Sequence, residues 1–217
     1  MSKPPRILLT GFTPFDNQEI NPSWEAVHAL DGKHVGDHLV VSRLLPTAFA
    51  DSQHELESMV REFEPSILLG VGQAGGRSRL SIERVAINVQ DARIADNAGA
   101  QPIDEAVVAD GPAAYFSTLP IKAMLKALLD EGLPAEVSNT AGTFVCNHVA
   151  YLMLHIAASH RGMRAGFIHI PYLPAQAVHV SNAPSMSKND VVKGLSIALE
   201  VAVTRSMDER FAAGTLD

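Results

Sequence analysis

Three residues of the sequence are of types that could together cleave an acyl bond: Glu83, Cys146 and His169. Cys146 is the only cysteine among the 217 residues, and its thiolate would be a nucleophile. A histidine could accept the thiol proton, and a carboxylate could orient that histidine. Each of the three also has an ordinary structural explanation, so the local sequence around each must be weighed.

Cys146 comes directly before NHVAYLMLHIAA, whose apolar spacing predicts a helix. Cys146 would then lie in the first turn or the cap, where unpaired amides and the helix dipole favour a thiolate and lower the thiol pKa. The same amides could bind an oxyanion. A free cysteine is also often a small apolar residue of the core, and position alone leaves these two interpretations evenly balanced.

Glu83 lies within LSIERVAINV, residues 80–89, which reads as one extended segment. Its alternation puts Glu83 on one face with Val85 and Ile87, where an unpaired carboxylate would be costly. A structural ion pair with Arg84 or Arg93 would explain it, and so would a functional partner such as a histidine. The pattern leaves both open.

His169 lies at the carboxyl end of the predicted strand FIHIP, which Pro171 ends. In open α/β sheets this end of a strand is where sites form. Taken alone, a buried histidine in the core is the simpler explanation. Two other histidines, His148 and His155, could share a helix face, but a metal pair usually needs closer spacing and a third ligand. No metal site is predicted.

The segment GVGQAG, residues 70–75, fits the pattern G-x-G-x-x-G after a strand, which raises the alternative of a nucleotide-binding protein. That function requires a helix to begin at the glycines, so that its amides can hold the pyrophosphate. Here the chain continues through GRSR into a segment that reads as a strand. We therefore expect a flexible loop that lines a cleft and no bound dinucleotide.

Apolar runs alternate with segments of helical period along the whole chain. We predict strands at 6–11, 38–46, 66–72, 80–89, 135–139 and 165–171, and helices at 47–64, 120–132 and 147–159, with one more after an N-cap at Ser23 and one from about Ser187. This alternation predicts a single α/β domain over residues 1–217, with a mostly parallel, twisted sheet and helices on both faces.

Composition argues against several classes of partner. The 17 basic and 24 acidic residues give a net charge of −7, and no basic run is interleaved with aromatic residues, so nucleic acid and anionic membrane are poor candidates. The apolar core near the N-terminus is too short for a signal peptide, and no run approaches the ~18 apolar residues of a spanning helix. The expected location is the cytoplasm.

Four longer segments carry a resemblance to a known family. The stretch GQAGGRSRLSIERVAIN around Glu83, SNTAGTFVCN around Cys146 and FIHIPYLPAQ around His169 resemble motifs of the pyroglutamyl peptidase I family of cysteine peptidases. The opening stretch LLTGFTPFDNQEINPSWEAV is similar to that family's first strand and loop. The resemblance extends from about residue 6 to the last predicted helix.

The resemblance implies an α/β/α sandwich that removes an N-terminal pyroglutamyl residue from peptides through a thioester. It makes Cys146 the nucleophile, His169 the base and Glu83 the residue that orients the base, with Arg93 near the oxyanion. It implies no metal and no organic cofactor, and a cytoplasmic homo-oligomer that is often a tetramer.

The substrate would be a neutral lactam, for which a mostly apolar pocket with a few amide donors and acceptors is suitable. By matching the family's segments, Phe12, Phe15 and Phe144 are assigned to its walls and Gln73 to a polar contact, although ordinary core packing explains Phe144 as well. Three rivals remain: the nucleotide-binding protein, a non-catalytic binder of pyroglutamyl peptides, and a cysteine amidase that accepts other acyl groups.

Overall fold

A computed structural model describes residues 4–214. The strands are β1 (Arg6–Phe12), β2 (His34–Val35), β3 (His38–Leu45), β4 (Ile67–Gln73), β5 (Leu80–Glu83), β6 (Val85–Ile87), β7 (Ala114–Phe116), β8 (Ala135–Ser138) and β9 (Arg164–Ile170). The helices are α1 (Pro22–His28), α2 (Phe49–Phe63), α3 (Ile121–Asp130), α4 (Val145–Ser159), α5 (Pro174–Ala177) and α6 (Lys188–Thr204).

The central sheet is mostly parallel, which confirms the predicted α/β fold. Its strand order is β2-β3-β1-β4-β9-β5-β8. The pairs β1–β3, β1–β4, β4–β9 and β5–β8 are parallel, while β2–β3 and β5–β9 are antiparallel. The central strands are continuous apolar runs because both of their faces are covered.

Helices cover both faces of this sheet, as expected for a three-layer sandwich. Along β1, Ile7 and Leu9 pack into one apolar cluster with α1, α3 and α6. The alternate residues Leu8 and Phe12 pack into a second cluster with α2 and α4. The two-residue period of the strand therefore supplies both cores, and α4 brings Cys146 to the second face.

The prediction of one extended strand over residues 80–89 is wrong. The chain leaves the central sheet at Arg84, whose amide donates to the Ser138 carbonyl at 2.9 Å. The following strand, β6, pairs with β7 in a separate two-stranded sheet. Alternation cannot reveal this change of sheet, because the hydrophobic period continues across Arg84. Glu83 therefore ends a strand, and Val85 does not share its sheet.

The predicted N-cap at Ser23 is also wrong, because α1 is capped by Asn21. The Asn21 side chain accepts from the Ser23 amide at 3.0 Å, and Pro22 occupies the first turn, where its missing N–H costs nothing. The Ser23 hydroxyl instead accepts from the Phe12 amide at 2.9 Å. Ser23 therefore ties α1 to the end of β1.

Within residues 4–214, no helix has the length and apolarity needed to cross a membrane. The predicted single domain over 1–217 includes residues 1–3 and 215–217, which lie outside the described residues. The domain count stays a prediction.

Candidate active site

Glu83 and His169 are joined by a short hydrogen bond in the interior of the protein. The His169 Nδ1 atom lies 2.7 Å from Glu83 Oε1, and both side chains are at most 5% exposed. The contact depends on the antiparallel pair β5–β9, in which Ser81 lies opposite His169. Glu83 follows two residues later on the same face, so it is within diagonal reach of the imidazole. The histidine expected as one possible partner of Glu83 is therefore in contact with it.

Cys146 is the second residue of α4 and is partly exposed. A Cβ atom added to Gly72 would lie 2.7 Å from the Cys146 Sγ atom, so the sulphur rests directly on β4 at that glycine. Gly72 is the register partner of His169 on β9. The same imaginary Cβ would meet Phe167, which shares a face of β9 with His169. The thiol and the imidazole therefore occupy the same face of two adjacent strands.

Glu83 has a second partner, which is an arginine, but it is neither Arg84 nor Arg93. Arg77 Nη1 donates to Glu83 Oε1 at 2.7 Å. Arg84 instead donates to Asn139 at 2.8 Å. Sequence reasoning missed Arg77. Its position offered a signal, because a basic residue in the loop just before the strand that carries a buried carboxylate can reach that carboxylate. Glu83 therefore contacts both an arginine and a histidine.

Burial raises the pKa of the Cys146 thiol to about 12, with the nearby Glu83 carboxylate acting in the same direction and Arg77 opposing it. This is the opposite of the lowered pKa predicted from the position at the helix start. Removing the thiol from water outweighs the helix dipole when the sulphur lies on the sheet. The resting thiol is therefore protonated at neutral pH.

The start of α4 is fixed to the rest of the fold by Asn147, which is 1% exposed. Its amide nitrogen donates to the carbonyls of Ile87 and Val89 at 2.9 and 3.0 Å, and its oxygen accepts from the Ile87 amide at 3.0 Å. Sequence reasoning missed this residue. The sequence offered one signal for it, which is a polar asparagine directly after the cysteine at the start of a mostly apolar helix. Asn147 holds the backbone that carries Cys146.

Aromatic side chains form a wall beside the cysteine. Phe144 precedes α4, and its ring lies 6.2 Å from that of Phe15 and 5.4 Å from that of Phe49. Phe15 and Phe144 are both partly buried, whereas Phe12 is fully covered and packs against Phe167 at 6.2 Å. The structure thus brings Phe15 and Phe144 together, places Phe12 deeper, and adds Phe49, which sequence reasoning missed.

Gln73, at the end of β4, is oriented by a buried glutamine. Its Oε1 atom accepts from Gln176 Nε2 at 3.0 Å. Gln176 is 4% exposed and its own oxygen accepts from the Leu173 amide at 3.1 Å. The Gln73 oxygen therefore already accepts one hydrogen bond, and the Gln73 amide hydrogens are available as donors.

Arg93 lies exposed in the loop after β6. Within residues 4–214, its guanidinium makes no hydrogen bond or ion pair with Glu83, Cys146 or His169. The structure does not join Arg93 to the other three, and its role near an oxyanion stays a prediction.

The glycines of GVGQAG serve packing. Gly70 and Gly72 lie inside β4, and no helix begins after them. A Cβ on Gly70 would approach the Phe167 ring to 2.5 Å, and one on Gly75 would approach the Tyr172 hydroxyl to 2.3 Å. The glycines therefore allow close contacts with aromatic rings and the thiol, and the helix start that a pyrophosphate requires is not present there.

The sequence places His148 and His155 where they could share a helix face, but it predicts no metal site. Within residues 4–214, no group of three or more His, Cys, Asp or Glu side chains is arranged to hold a metal ion. The predicted absence of a metal or organic cofactor stays a prediction.

His148 lies two residues after Cys146 on α4 and is a buried histidine with a lowered pKa. It is 2% exposed, and its ring meets the Phe49 ring edge-on at 5.5 Å. Neither ring nitrogen reaches hydrogen-bond geometry with any described residue. Burial lowers the pKa of His148 to about 4, although the Phe49 backbone acts in the opposite direction. His148 is therefore neutral in the folded protein down to acidic pH.

We expect His148 to make the fold sensitive to mild acid. An unfolded histidine takes up a proton near pH 6.5 and the folded one only near pH 4, so stability falls as pH drops between these values. The loss approaches about 3 kcal/mol at 1.36 kcal/mol per pKa unit. Urea unfolding of His148→Phe between pH 7 and 4.5 should lack this part of the slope. The exposed His54→Phe serves as control, and an unchanged slope in His148→Phe would contradict the assignment.

The comparisons with known proteins agree over nearly the whole chain. A family model described as pyroglutamyl peptidase matches residues 5–205. The pyrrolidone-carboxylate peptidase 1 of Ralstonia nicotianae is 56% identical over 214 residues, covering 98% of this chain and 99% of that protein. The pyrrolidone-carboxylate peptidase of Cupriavidus taiwanensis is 55% identical over the same length, with the same coverage.

Solved structures also match nearly the whole chain, at lower sequence identity. The crystal structure of pyroglutamyl peptidase I from Bacillus amyloliquefaciens superposes with a TM-score of 0.93 at 45% identity, covering 96% of this chain and all of that chain. A mutant pyrrolidone carboxyl peptidase from the hyperthermophile Pyrococcus furiosus gives a TM-score of 0.88 at 43% identity, covering 91% of this chain and 98% of that one.

The match to the family model and to the solved structures, together with the three-layer α/β fold, defines a cysteine-type hydrolase. The chain belongs to the pyroglutamyl peptidase family, whose members remove an N-terminal pyroglutamyl residue. The resemblance noted in the sequence is confirmed. The nucleotide-binding and non-catalytic alternatives are not favoured.

Proposed function

We propose that Cys146, His169 and Glu83 carry out this reaction as nucleophile, general base and orienting carboxylate. The observation that carries the proposal is the 2.7 Å contact between His169 Nδ1 and Glu83, beside a thiol that rests on the adjacent strand at Gly72. A carboxylate only accepts hydrogen bonds, so Nδ1 carries the proton. The other ring nitrogen, Nε2, is left as an acceptor for the thiol proton.

The raised pKa of Cys146 makes this base necessary. A thiol whose pKa is about 12 is almost wholly protonated at neutral pH, so few enzyme molecules hold a thiolate at rest. His169 removes the proton as the sulphur attacks the carbonyl carbon that joins pyroglutamate to the next residue. Glu83 then stabilises the imidazolium that forms.

The carbonyl oxygen becomes negatively charged as the sulphur–carbon bond forms. Phe144 supplies no side-chain cap to α4, so the first amides of that helix, including that of Cys146, are available as donors to this oxygen. Arg93 is proposed as a further support on the strength of the resemblance. Collapse of the tetrahedral intermediate breaks the C–N bond, and the imidazolium protonates the departing amine.

The product of this step is a thioester between Cys146 and the pyroglutamyl group. Water attacks the thioester carbonyl while His169 accepts a proton from it, and the thiol is released with that proton. Pyroglutamate leaves as the free acid, and the enzyme returns to its initial protonation state.

The lactam ring is proposed to bind against the partly buried rings of Phe15 and Phe144, with Phe12 behind them. Gln73 contributes an N–H donor, because its side-chain oxygen already accepts a hydrogen bond from Gln176. A pocket with aromatic walls and few amide groups suits a neutral ring that has no free amine.

We further propose a cytoplasmic homo-oligomer, a tetramer by the family resemblance, that does not bind nucleic acid. The net charge of −7 supports the last point.

Trapping the thioester tests the assignment of the nucleophile. A pyroglutamyl aryl ester has a good leaving group, so acylation becomes fast and the acyl-enzyme accumulates. We expect acid quenching and peptide mass analysis to find one pyroglutamyl group on the peptide containing Cys146, and none after mixing with the matching prolyl ester. Turnover with an acyl group on another residue would contradict the proposal.

A further inference from the structure

We propose that Arg77 is a positioning residue for the reaction, holding the Glu83 carboxylate in place beside His169 and supplying the positive charge that compensates it. This inference rests on the catalytic roles proposed for Glu83 and His169. Arg77 makes no hydrogen bond to the thiol, and apart from its opposing electrostatic effect on the thiol pKa it acts through the carboxylate.

Arg77 and His169 share one oxygen of the carboxylate. Both lie 2.7 Å from Glu83 Oε1, while Oε2 has no partner among the described residues. A buried carboxylate with one satisfied oxygen is costly unless a charged group compensates it. Arg77 supplies that charge, and its side chain is 28% exposed, so its own desolvation is partial.

Arg77 also connects the carboxylate to the segment that leads to the nucleophile. Its second nitrogen, Nη2, donates to the Thr140 carbonyl at 2.8 Å, and Nη1 lies 3.4 Å from the Ser138 hydroxyl. Residues 139–144 link β8 to α4, so one guanidinium fork joins the end of β5 to the loop before Cys146. A planar fork can make these contacts together, which a lysine cannot.

The charge of Arg77 has a direct consequence for proton binding. A proton taken up by either Glu83 or His169 makes the net charge of the pair less negative. A neighbouring positive charge opposes that change. Without Arg77 the pair would hold the proton to higher pH. A protonated pair cannot accept the thiol proton, so activity would be lost at a higher pH on the acid side.

Other charged or titratable groups face the pair from neighbouring elements. Cys146 on α4 is protonated over the relevant range because of its raised pKa. Glu136 on β8 accepts from the Ser81 hydroxyl at 2.7 Å, and as an acidic residue it cannot compensate the charge of Glu83. Arg77 is therefore the basic group in contact with Glu83 apart from His169.

Arg77→Gln tests the proposal through the pH profile of kcat/KM for a pyroglutamyl amide. We expect the acid-side midpoint to move up by about one pH unit, allowing for the partial exposure of Arg77. We also expect kcat on the plateau to fall roughly ten-fold with little change in KM, because positioning and not substrate binding is lost.

Arg77→Lys separates charge from geometry. It should leave the acid-side midpoint near that of the wild type while kcat remains reduced, because lysine keeps the charge but cannot span Glu83 and Thr140. This variant also carries the test if Arg77→Gln does not fold. The exposed Arg79→Gln removes a charge from the same loop and should match the wild type in both quantities.

Glu83→Gln distinguishes failure of this inference from failure of the proposed mechanism. If Arg77→Gln and Arg77→Lys both keep the wild-type kcat and midpoint while Glu83→Gln is impaired, the role of Arg77 is overturned and the mechanism stands. If Glu83→Gln is as active as the wild type, the proposed mechanism itself fails, and the role of Arg77 fails with it.

Discussion

Cys146→Ser is expected to lower kcat/KM for a pyroglutamyl amide by about 10⁴-fold or more, the size of loss typical of removing a catalytic nucleophile. The hydroxyl is a far weaker nucleophile than the thiol at the same position. Serine is also nearly the same size, so the contact with Gly72 that seats the side chain on β4 is preserved. Release of a reporter amine measures the loss.

Two controls make this result specific. Circular dichroism and thermal unfolding should match the wild type, because the substitution removes no packing volume of consequence. A prolyl amide run in parallel should be a poor substrate for both proteins, since it lacks the lactam carbonyl. A Cys146→Ser protein that retains more than about one part in a hundred of the activity would contradict a thiol nucleophile.

Glu83→Gln is expected to lower kcat by roughly 10³-fold while KM changes little. An amide in place of the carboxylate can donate to Nδ1 of His169, which would favour the tautomer that carries its proton on Nε2. That tautomer cannot accept the thiol proton. The negative charge that stabilises the imidazolium is lost in the same substitution.

Glu136→Gln is the matched control for this second variant. Glu136 lies on the adjacent strand β8 and is hydrogen-bonded to Ser81, but it does not contact His169. Its activity should stay within about two-fold of the wild type, as for a substitution away from the reacting groups. Equal kcat values for the two variants would show that Glu83 does not act on the base.

The elements with strong local signals were predicted correctly. The strands near residues 6–12 and 67–73 are continuous apolar runs, and α6 begins after a serine cap at Ser187, whose side chain accepts from the Asp190 amide. In these places a single local signal, either the apolar run or the serine cap, has no nearby alternative. At Ser23 two polar residues compete to cap the helix, and Asn21 wins because Pro22 follows it.

The site was predicted less evenly than the fold. The three proposed catalytic residues were singled out by their motifs, whereas Arg77, Asn147 and Phe49 were missed. Each missed residue makes contacts far along the chain, such as Asn147 with Ile87 and Val89, 60 and 58 residues away. A local sequence pattern shows the type of a residue, but it does not show which distant residue the side chain will contact.

By itself the sequence determined the strands and helices with one clear period, the α/β class and the family, because these depend on local order and on long motifs. Only the tertiary structure decided that β5 lies antiparallel to β9, which brings Glu83 to His169 across 86 residues. It also reversed the expected pKa shift of Cys146. Burial depends on what the rest of the chain places around a group, and that is a property of the packed fold.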